Sequence, residues 1–220
     1  PAAELLLVSA RESDGRIGLF VVPAGSPRLR MEPYRTIDGS PAAELAFTDL
    51  RLDGDARLGE GDALPAIRTL LDLAALLVSA EAIGAMDALL ERTVAYAKTR
   101  KQFGVPIGSF QALQHRMADM FIELEQSRSI LLMALLAADG GAEDPARAIS
   151  AAKHRIGRAA RRIGQEAKQL HGGIGVTDAL DVGHYVKRLT ASSEAPIGRP
   201  SESVAPISRI TGRGKRFHKP

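Results

Sequence analysis

Residues 145–170 carry the pattern that most restricts the fold, because their apolar side chains recur every three or four positions. The set is Ile149, Ala152, Ile156, Ala159, Ile163, Ala167 and Leu170. Such spacing places the apolar side chains on one face of an α-helix of about seven turns. Asp144 followed by Pro145 is a typical helix start, and Gly172 with Gly173 is a typical end. The segment therefore predicts a long helix whose one face is buried against other helices.

Three further helices are predicted around this one. The first runs from Asp62 to about Arg100, and the second from a cap at Ser109 to about Ala138. A short fourth helix is expected over residues 178–189. Three long antiparallel helices and a short one form a four-helix up-down bundle.

The first 60 residues have the pattern of β-strands instead. Two apolar runs, 5–8 and 17–22, flank a turn-forming stretch at 12–15 and predict a hairpin. A further half-buried strand is expected over 43–52. So few strands make a poor independent sheet. Residues 1–60 are therefore interpreted as the end of a larger, only partly present antiparallel β-domain.

The positive charge is concentrated at the end of the chain. Six Lys or Arg and two Glu give residues 191–220 a net charge of +4, so residues 1–190 carry −1 of the total of +3. A nearly neutral body argues against nucleic-acid binding, and a basic face on the third helix is interpreted as a solvated or intersubunit surface. Residues 191–220 are rich in Pro and Ser and lack a helical stripe, which predicts a disordered tail after a helical domain at 61–190.

Composition excludes several classes of protein. The chain has no cysteine, so disulfides and thiolate metal sites are absent, which fits a reducing compartment. Its histidines have no metal-ligand spacing with acidic residues, so no metal is predicted. The most apolar run, Leu70–Ala80, contains Asp72 and is shorter than the about 20 residues that cross a bilayer. We expect a soluble, cytoplasmic protein that does not enter the membrane.

The first segment with chemical potential is 99–111, which reads TRKQFGVPIGSFQ. It places an arginine at a helix C-terminus, followed by an amide, an aromatic ring and glycines. The planar guanidinium of Arg100 can bind two phosphate oxygens at once, and Phe103 can cover a ring system. The same residues also fit an ordinary helix end in which Arg100 faces the helix dipole.

The second segment is 169–177, which reads QLHGGIGVT. Its glycines allow a ligand to approach the backbone closely, and free N–H groups suit an anionic group. It is not the dinucleotide-binding fingerprint, because no strand precedes it and it ends a helix. A simple glycine C-cap is the alternative interpretation.

Together, in this order and about 60 residues apart, the two segments resemble the acyl-CoA dehydrogenase family. The resemblance extends through ADM at 118–120 and DVGHY at 181–185, and YRTIDGS at 34–40 resembles the close of the family's middle β-domain. It covers about residues 4–190. It implies a mainly α fold, with the family's C-terminal four-helix bundle preceded by a partial antiparallel β-domain.

The resemblance also implies FAD shared across a subunit interface. The positions that match flavin contacts are Arg100, Gln102, Phe103, Gln111, Gln169, Gly172, Gly173 and Thr177. Arg100, Gln102 and Phe103 match contacts to the pyrophosphate and adenosine of a flavin that the neighbouring subunit binds. Further implications are an acyl-CoA substrate, a dimer or tetramer of like or unlike subunits, and an acceptor resembling electron-transfer flavoprotein. The motif HGGIGVT is most similar to that of dehydrogenases for bulky or steroid-derived acyl-CoA substrates.

The catalytic base is where this chain departs from the family. The reaction needs a dry carboxylate that removes the proton α to the thioester while hydride leaves the β carbon for the flavin. Many members place a Glu a little over 20 residues beyond the glycine motif. Glu194 lies there, but in surroundings that do not resemble the family.

Other members carry the base on the first long helix, where the matching position is near Ala74. Asp72 and Glu81 are the nearest acids and both are out of register; Glu81 is interpreted as an interhelical residue. Two explanations stay open. Either the residues after Thr190 come from an unrelated reading frame, or the chain is a non-catalytic subunit of a heteromeric dehydrogenase whose partner supplies the base.

Overall fold

The computed structural model describes residues 3–177 and 179–194, which divide into a β-unit up to residue 70 and a helical unit from residue 71. The strands of the first unit are β1 (Leu5–Arg11), β2 (Ile17–Pro23), β3 (Leu29–Arg35), β4 (Pro41–Phe47) and β5 (Arg57–Leu58). The helices and one small hairpin are α1 (Leu64–Thr99), β6 (Lys101–Gln102), β7 (Val105–Pro106), α2 (Gln111–Leu136), α3 (Pro145–His171) and α4 (Val182–Glu194). The predicted mainly α fold, with four helices after an antiparallel β region, is confirmed.

The predicted first hairpin is confirmed. β1 and β2 pair antiparallel from Leu5 opposite Pro23 to Arg11 opposite Ile17, and β5 pairs with the other edge of β2. The Glu12 N–H closes the turn by donating to the Arg16 carbonyl at 2.8 Å. Val8, Val22 and Leu50 form the small buried core of this unit.

The second strand pair corrects the sequence prediction. A strand was expected over 43–52, but β4 ends at Phe47 and pairs antiparallel with β3, which the sequence pattern did not reveal. β3 is largely exposed, and its apolar residues alternate with charged ones only at Leu29 and Met31 before Pro33 interrupts the pattern, which is too short a run to identify a half-buried strand. β4 cannot continue to residue 52, because Asp49 has a left-handed φ of +49°.

Helix α3 agrees with the prediction along its whole length. Asp144 caps it by accepting the Arg147 N–H at 3.3 Å, Pro145 is its first residue, and Gly172 follows its end with φ of +65°. All seven residues of the predicted apolar stripe are buried, none more than 6% exposed. They pack in the main core with Met86 and Leu89 of α1 and with side chains of α2 and α4.

Helix α2 begins differently from the prediction. Ser109 does not cap it, because its hydroxyl donates to the Pro106 carbonyl at 2.7 Å inside a 3₁₀ turn over Ile107–Ser109. Phe110 precedes the helix instead and supplies no side-chain cap. At the other end the α-helical part stops at Leu136 and a π-helical turn over Ala137–Gly141 follows, whose first residue with non-helical φ and ψ is Asp139, in agreement with the predicted end near Ala138.

Ion pairs between α2 and α3 fix these two helices as antiparallel neighbours. Arg116 on α2 contacts Glu166 on α3 at 2.6 Å, and Asp119 contacts Arg162 at 3.0 Å. Because the residue numbers rise on one helix as they fall on the other, the start of α2 lies beside the end of α3. This arrangement is the reason that Gln111 and Gln169 belong to the same end of the bundle.

Helix α4 is displaced along the chain relative to the prediction. It spans Val182–Glu194 instead of 178–189, so residues 191–194, which the sequence assigned to the irregular tail, are helical. The Lys153 Nζ of α3 donates to the Ser192 carbonyl at 2.8 Å near its end, and burial lowers the pKa of Lys153. The rest of the predicted tail, residues 195–220, lies outside the described residues.

Helix α1 is longer than the apolar run that the sequence analysis considered. Within the described residues it is the single helix long and apolar enough to cross a membrane by length and composition, with a mean hydropathy of 1.8 in its most apolar window. The expectation that this segment is too short was therefore wrong. The same property belongs to core helices of soluble proteins, and α1 buries Met86 and Leu89 completely in the bundle.

Candidate functional site

The segment after α1 forms a short, anchored hairpin. β6 and β7 pair through Lys101 opposite Pro106 and Gln102 opposite Val105. The backbone of Arg100 ties the hairpin to the helix: its N–H donates to the Tyr96 carbonyl, and its carbonyl accepts the Ile107 N–H, both at 2.8 Å. The hairpin is therefore held at both ends by the last turn of α1.

The tip of this hairpin displays an aromatic ring in an unfavourable backbone conformation. Phe103 and Gly104 have φ of +53° and +82°, as a type I′ turn requires, and Asn-Gly would be the usual pair there. The Phe103 side chain is 93% exposed and meets Phe110 edge-on at 6.2 Å between ring centroids. A bulky residue with positive φ is strained, and a ring that is 93% exposed gains little packing beyond its one edge-on contact; such a combination is typical of ligand-contact positions.

The glycines after α3 divide into two kinds. A side chain at Gly175 would lie 2.8 Å from the His171 Cβ and 2.9 Å from the Lys168 carbonyl, so this glycine is required for packing. Around Gly172 and Gly173 no atom lies within 4 Å of where a Cβ would be, and both are exposed. This second pair presents bare backbone to solvent, where a ligand can approach closely.

A ring stack joins the two segments. Tyr96 lies one turn before Arg100, and its ring lies 4.5 Å from that of His171, with an angle of 28° between the ring planes. His171 directly precedes Gly172. The structure therefore brings the two segments singled out in the sequence to the same end of the bundle.

Each predicted flavin-contact residue lies in this region and is accessible. The exposed set is Arg100, Gln102, Phe103, Gln111, Gln169, Gly172, Gly173 and Thr177. Thr177 donates its hydroxyl to the Ile174 carbonyl at 2.8 Å, and Gln102 donates its amide to the Lys101 carbonyl at 2.8 Å. The other members of this set are exposed to solvent as well.

The charges of this end favour an anion. Over residues 3–177 and 179–194, no carboxylate forms an ion pair with Arg100 or Lys101. The N–H groups of Leu113 and Gln114 both donate to the Phe110 carbonyl, which leaves the amide of Gln111 at the positive end of the α2 dipole. The C-terminal ends of α1 and α3 carry partial negative charge. The positive charges of Arg100 and Lys101 and the N–H of Gln111 offset it, and they make the region suitable for a phosphate.

The acids considered for catalysis have other positions. Glu81 forms a two-pronged ion pair with Arg188 of α4, at 2.7 Å for each contact, which agrees with its interpretation as an interhelical residue. Asp72 is half-buried on α1. Ala74 has only a methyl group, which cannot accept a proton. Glu194 is the last residue of α4, and its side chain is not among the described ones.

The basic residues of α3 have two different roles. Arg155 and Arg162 form ion pairs with Glu123 of α2 at 2.6 and 2.8 Å, so they connect helices. Arg158 and His154 are exposed. In the part of the chain that the structure describes, no three His, Asp or Glu residues are grouped so that they could hold a metal ion.

The fold and this site define a class: a helical bundle domain with two exposed segments at one end, one that carries cations and an aromatic ring and one of open glycine backbone. The family described as acyl-CoA dehydrogenase, C-terminal domain, matches residues 61–194. This chain belongs to the acyl-CoA dehydrogenase family. The resemblance identified in the sequence is thereby confirmed.

Three similar proteins illustrate the relationship. Acyl-CoA dehydrogenase IpdE2 of Mycobacterium tuberculosis is 39% identical over 187 residues, which cover 82% of this chain and 54% of that protein. The solved structure of a variant of the Tcur3481-Tcur3483 steroid ACAD is 35% identical with a TM-score of 0.75, and the match covers 87% of this chain and 50% of that one. The FAD complex of PigA is 29% identical with a TM-score of 0.81, and the match covers 90% and 54%. The chain thus spans about half the length of these relatives.

Proposed function

We propose that this chain is part of an FAD-dependent acyl-CoA dehydrogenase that catalyses α,β-dehydrogenation of an acyl-CoA thioester. Its helical bundle completes the flavin site at a subunit boundary. The observation that carries the proposal is the Tyr96–His171 stack, since it joins the Arg100 hairpin and the exposed glycines into one surface. The FAD complex of PigA, whose fold matches this chain, supports the choice of cofactor.

The residues present fit an FAD molecule. Arg100 can bind pyrophosphate oxygens with its planar fork, and the backbone at Gly172 and Gly173 leaves space for close approach. Phe103 can cover the adenine ring, for which its exposed position at the hairpin tip is suited. When bound, FAD would supply the acceptor for the hydride that leaves the β carbon. What these residues provide is binding and orientation.

The remaining features of the proposal follow the family. We propose an acyl-CoA substrate with a fatty or steroid-derived acyl group, the latter supported by the similarity to a steroid ACAD. We also propose assembly as a dimer or tetramer, an acceptor resembling electron-transfer flavoprotein, and a cytoplasmic location. The absence of cysteine supports this location.

A second candidate function is a non-catalytic subunit that completes a partner's flavin site. The observation in its favour concerns two of the places on α1 that were considered for a base. Position 74 is an alanine, and Glu81 is ion-paired with Arg188. The matching steroid ACAD, whose name joins two proteins, supports an assembly of unlike subunits. In this case the base and the acyl pocket belong to the partner.

We expect the chain alone to retain little flavin and to reduce no redox dye with an acyl-CoA substrate, because the described residues provide a half-site without a placed base. The test is to purify the chain alone and after co-expression with a full-length flavoprotein subunit of the family, then record the flavin absorbance and dye reduction.

Flavin that co-purifies with the complex supports the proposed site. Turnover by the chain alone would refute the expectation, and an assembly that never carries flavin would refute the proposal. Dye reduction by a complex whose partner has lost its own base would show that this chain is catalytic.

Replacing Phe103 with Asn is expected to stabilise the hairpin and weaken FAD binding. Asn tolerates positive φ, so up to about 1 kcal/mol of backbone strain is removed. Loss of the ring removes stacking on adenine, worth about 1–3 kcal/mol, or roughly fivefold to a hundredfold in Kd. Thermal unfolding and FAD titration measure the two effects. Phe121→Asn, at another exposed aromatic residue on α2, is the control, and unchanged FAD affinity in Phe103→Asn would contradict its assigned contact.

A further inference from the structure

We infer that Tyr96 and His171 are a positioning pair that aligns the two flavin-contacting segments, so that FAD binding depends on their ring contact. The inference rests on the proposed flavin site and assigns these two residues no direct contact with the cofactor. Its basis is the way the pair connects helices that are far apart in sequence.

The Tyr96 side of the contact controls the hairpin. The carbonyl of Tyr96 accepts the N–H of Arg100 at 2.8 Å, and the carbonyl of Arg100 accepts the N–H of Ile107 at 2.8 Å. A Cβ at Gly108 would lie only 3.0 Å from the Ala97 carbonyl, so the chain after the hairpin is also packed closely on this last turn. The hairpin therefore moves with the end of α1 that carries the Tyr96 ring.

The His171 side of the contact is held equally firmly. Its ring is 5% exposed, and its Nδ1 lies 2.8 Å from the Ala167 carbonyl. Because a carbonyl oxygen can only accept, Nδ1 carries the proton and the ring orientation is fixed. The backbone of Gly175 closes over His171 at a distance that leaves no space for a Cβ. The ring is thus enclosed by its own helix, by the glycine turn and by Tyr96.

These constraints make the stack a joint between α1 and the glycine turn. Rings at 4.5 Å with a small interplanar angle are in an attractive arrangement. If the joint is lost, Arg100 and the exposed backbone of Gly172 no longer share one fixed separation. Binding a dinucleotide at both places would then also have to order the two segments, and the conformational entropy lost in doing so lowers the affinity.

The test compares His171→Ala and His171→Phe in the full chain. Phe retains a ring for the stack but cannot bond the Ala167 carbonyl, so rescue by Phe identifies the ring contact as the important feature. His154→Ala, an exposed histidine on the same helix, is the matched control. Two measurements are made: the Kd for FAD by fluorescence titration of each variant assembled with a full-length flavoprotein subunit of the family, and the rate at which limited trypsin cleaves the chain alone after Arg100 and Lys101, at the start of the hairpin.

We expect His171→Ala to weaken FAD binding roughly threefold to tenfold and to speed cleavage in the hairpin by a similar factor, given the usual strength of an aromatic pair. His171→Phe and His154→Ala should stay close to wild type in both measurements. The inference is overturned if His171→Ala binds FAD with the affinity of the wild type, whatever its cleavage rate, or if His171→Phe is as impaired as His171→Ala.

The two measurements also separate this inference from the proposed function. If the wild-type chain assembled with a full-length flavoprotein subunit does not bind FAD, the proposed site fails, and the cleavage rates alone decide whether the joint exists. If the wild type binds FAD and His171→Ala does so equally well, the site stands and the joint fails. Should His171→Ala not fold, as judged by circular dichroism, Tyr96→Leu tests the same contact from α1 with the same expected factors.

Discussion

Replacing Arg100 with Ala is expected to weaken FAD binding by the assembled oligomer roughly tenfold to a hundredfold and to leave the melting temperature of the chain unchanged. Hydrogen bonds to a charged group contribute about 1.5–3 kcal/mol each, and this guanidinium is assigned to the pyrophosphate. Its side chain is exposed, and no carboxylate in the part of the chain that the structure describes forms an ion pair with it. Replacing it with Ala keeps the hydrogen bonds that its backbone makes to Tyr96 and Ile107 and breaks no ion pair. Surface changes of this kind usually alter the free energy of unfolding by less than about 0.5 kcal/mol.

The Arg100 experiment has two matched controls. Arg158→Ala removes another exposed arginine, on α3, at about 20 Å along the helix from His171. It should leave FAD binding unchanged, which shows that general positive charge is not sufficient. Arg100→Lys retains the charge but loses the planar fork, so it should bind with intermediate affinity. FAD titrations at low and high salt should show the difference shrinking as salt screens the phosphate contact. Equal affinities for Arg100→Ala and wild type would remove Arg100 from the site.

The helix predictions succeeded where the pattern was local and periodic. The stripe on α3 is complete because each of its residues faces the core, and its ends are marked by Asp144 and Gly172, whose roles depend on neighbouring residues alone. The cap at Ser109 failed for the opposite reason. Its hydroxyl has a choice of acceptors, and a 3₁₀ turn directs it to the Pro106 carbonyl instead of to the start of α2.

The β-unit and the arrangement of the site depend on contacts between distant residues. β3 contains Pro33 and is mostly exposed, so its pairing with β4 leaves little mark on the sequence. The Tyr96–His171 stack joins positions 75 residues apart, which no local spacing can reveal. The sequence could identify Arg100 and Gly172 by their resemblance to a family. The stack shows that the segments containing them meet at the same end of the bundle.

The missing base bears on how the proposed dehydrogenase is divided between chains. Glu81 is not placed to act as a base, since Arg188 of α4 engages both of its carboxylate oxygens through two contacts of 2.7 Å. The flavin half-site, in contrast, has all its predicted groups exposed and available. A chain with the proposed cofactor contacts but no placed base on its first helix would suit one subunit of a heteromeric dehydrogenase.

The glycine turn provides the second prediction with a large expected effect, because two of its glycines should fail in different ways. A methyl group at Gly175 would meet the Lys168 carbonyl at 2.9 Å and the His171 Cβ at 2.8 Å, and neither atom can move without shifting α3. Gly175→Ala should therefore destabilise the bundle by about 1–3 kcal/mol, or several degrees in Tm, and weaken FAD binding as the turn moves.

Gly173→Ala is the matched change two residues away. No atom lies within 4 Å of the added methyl and the backbone φ is not positive there, so the fold should be as stable as wild type or slightly more stable. The methyl projects where the cofactor is proposed to approach, so FAD binding should fall by about tenfold or more, a loss of 1.4 kcal/mol. Thermal unfolding and FAD titration of both variants decide the matter. If Gly173→Ala binds FAD normally while Gly175→Ala melts early, the glycines serve only to pack His171, and the open backbone at Gly172 and Gly173 is not a ligand surface.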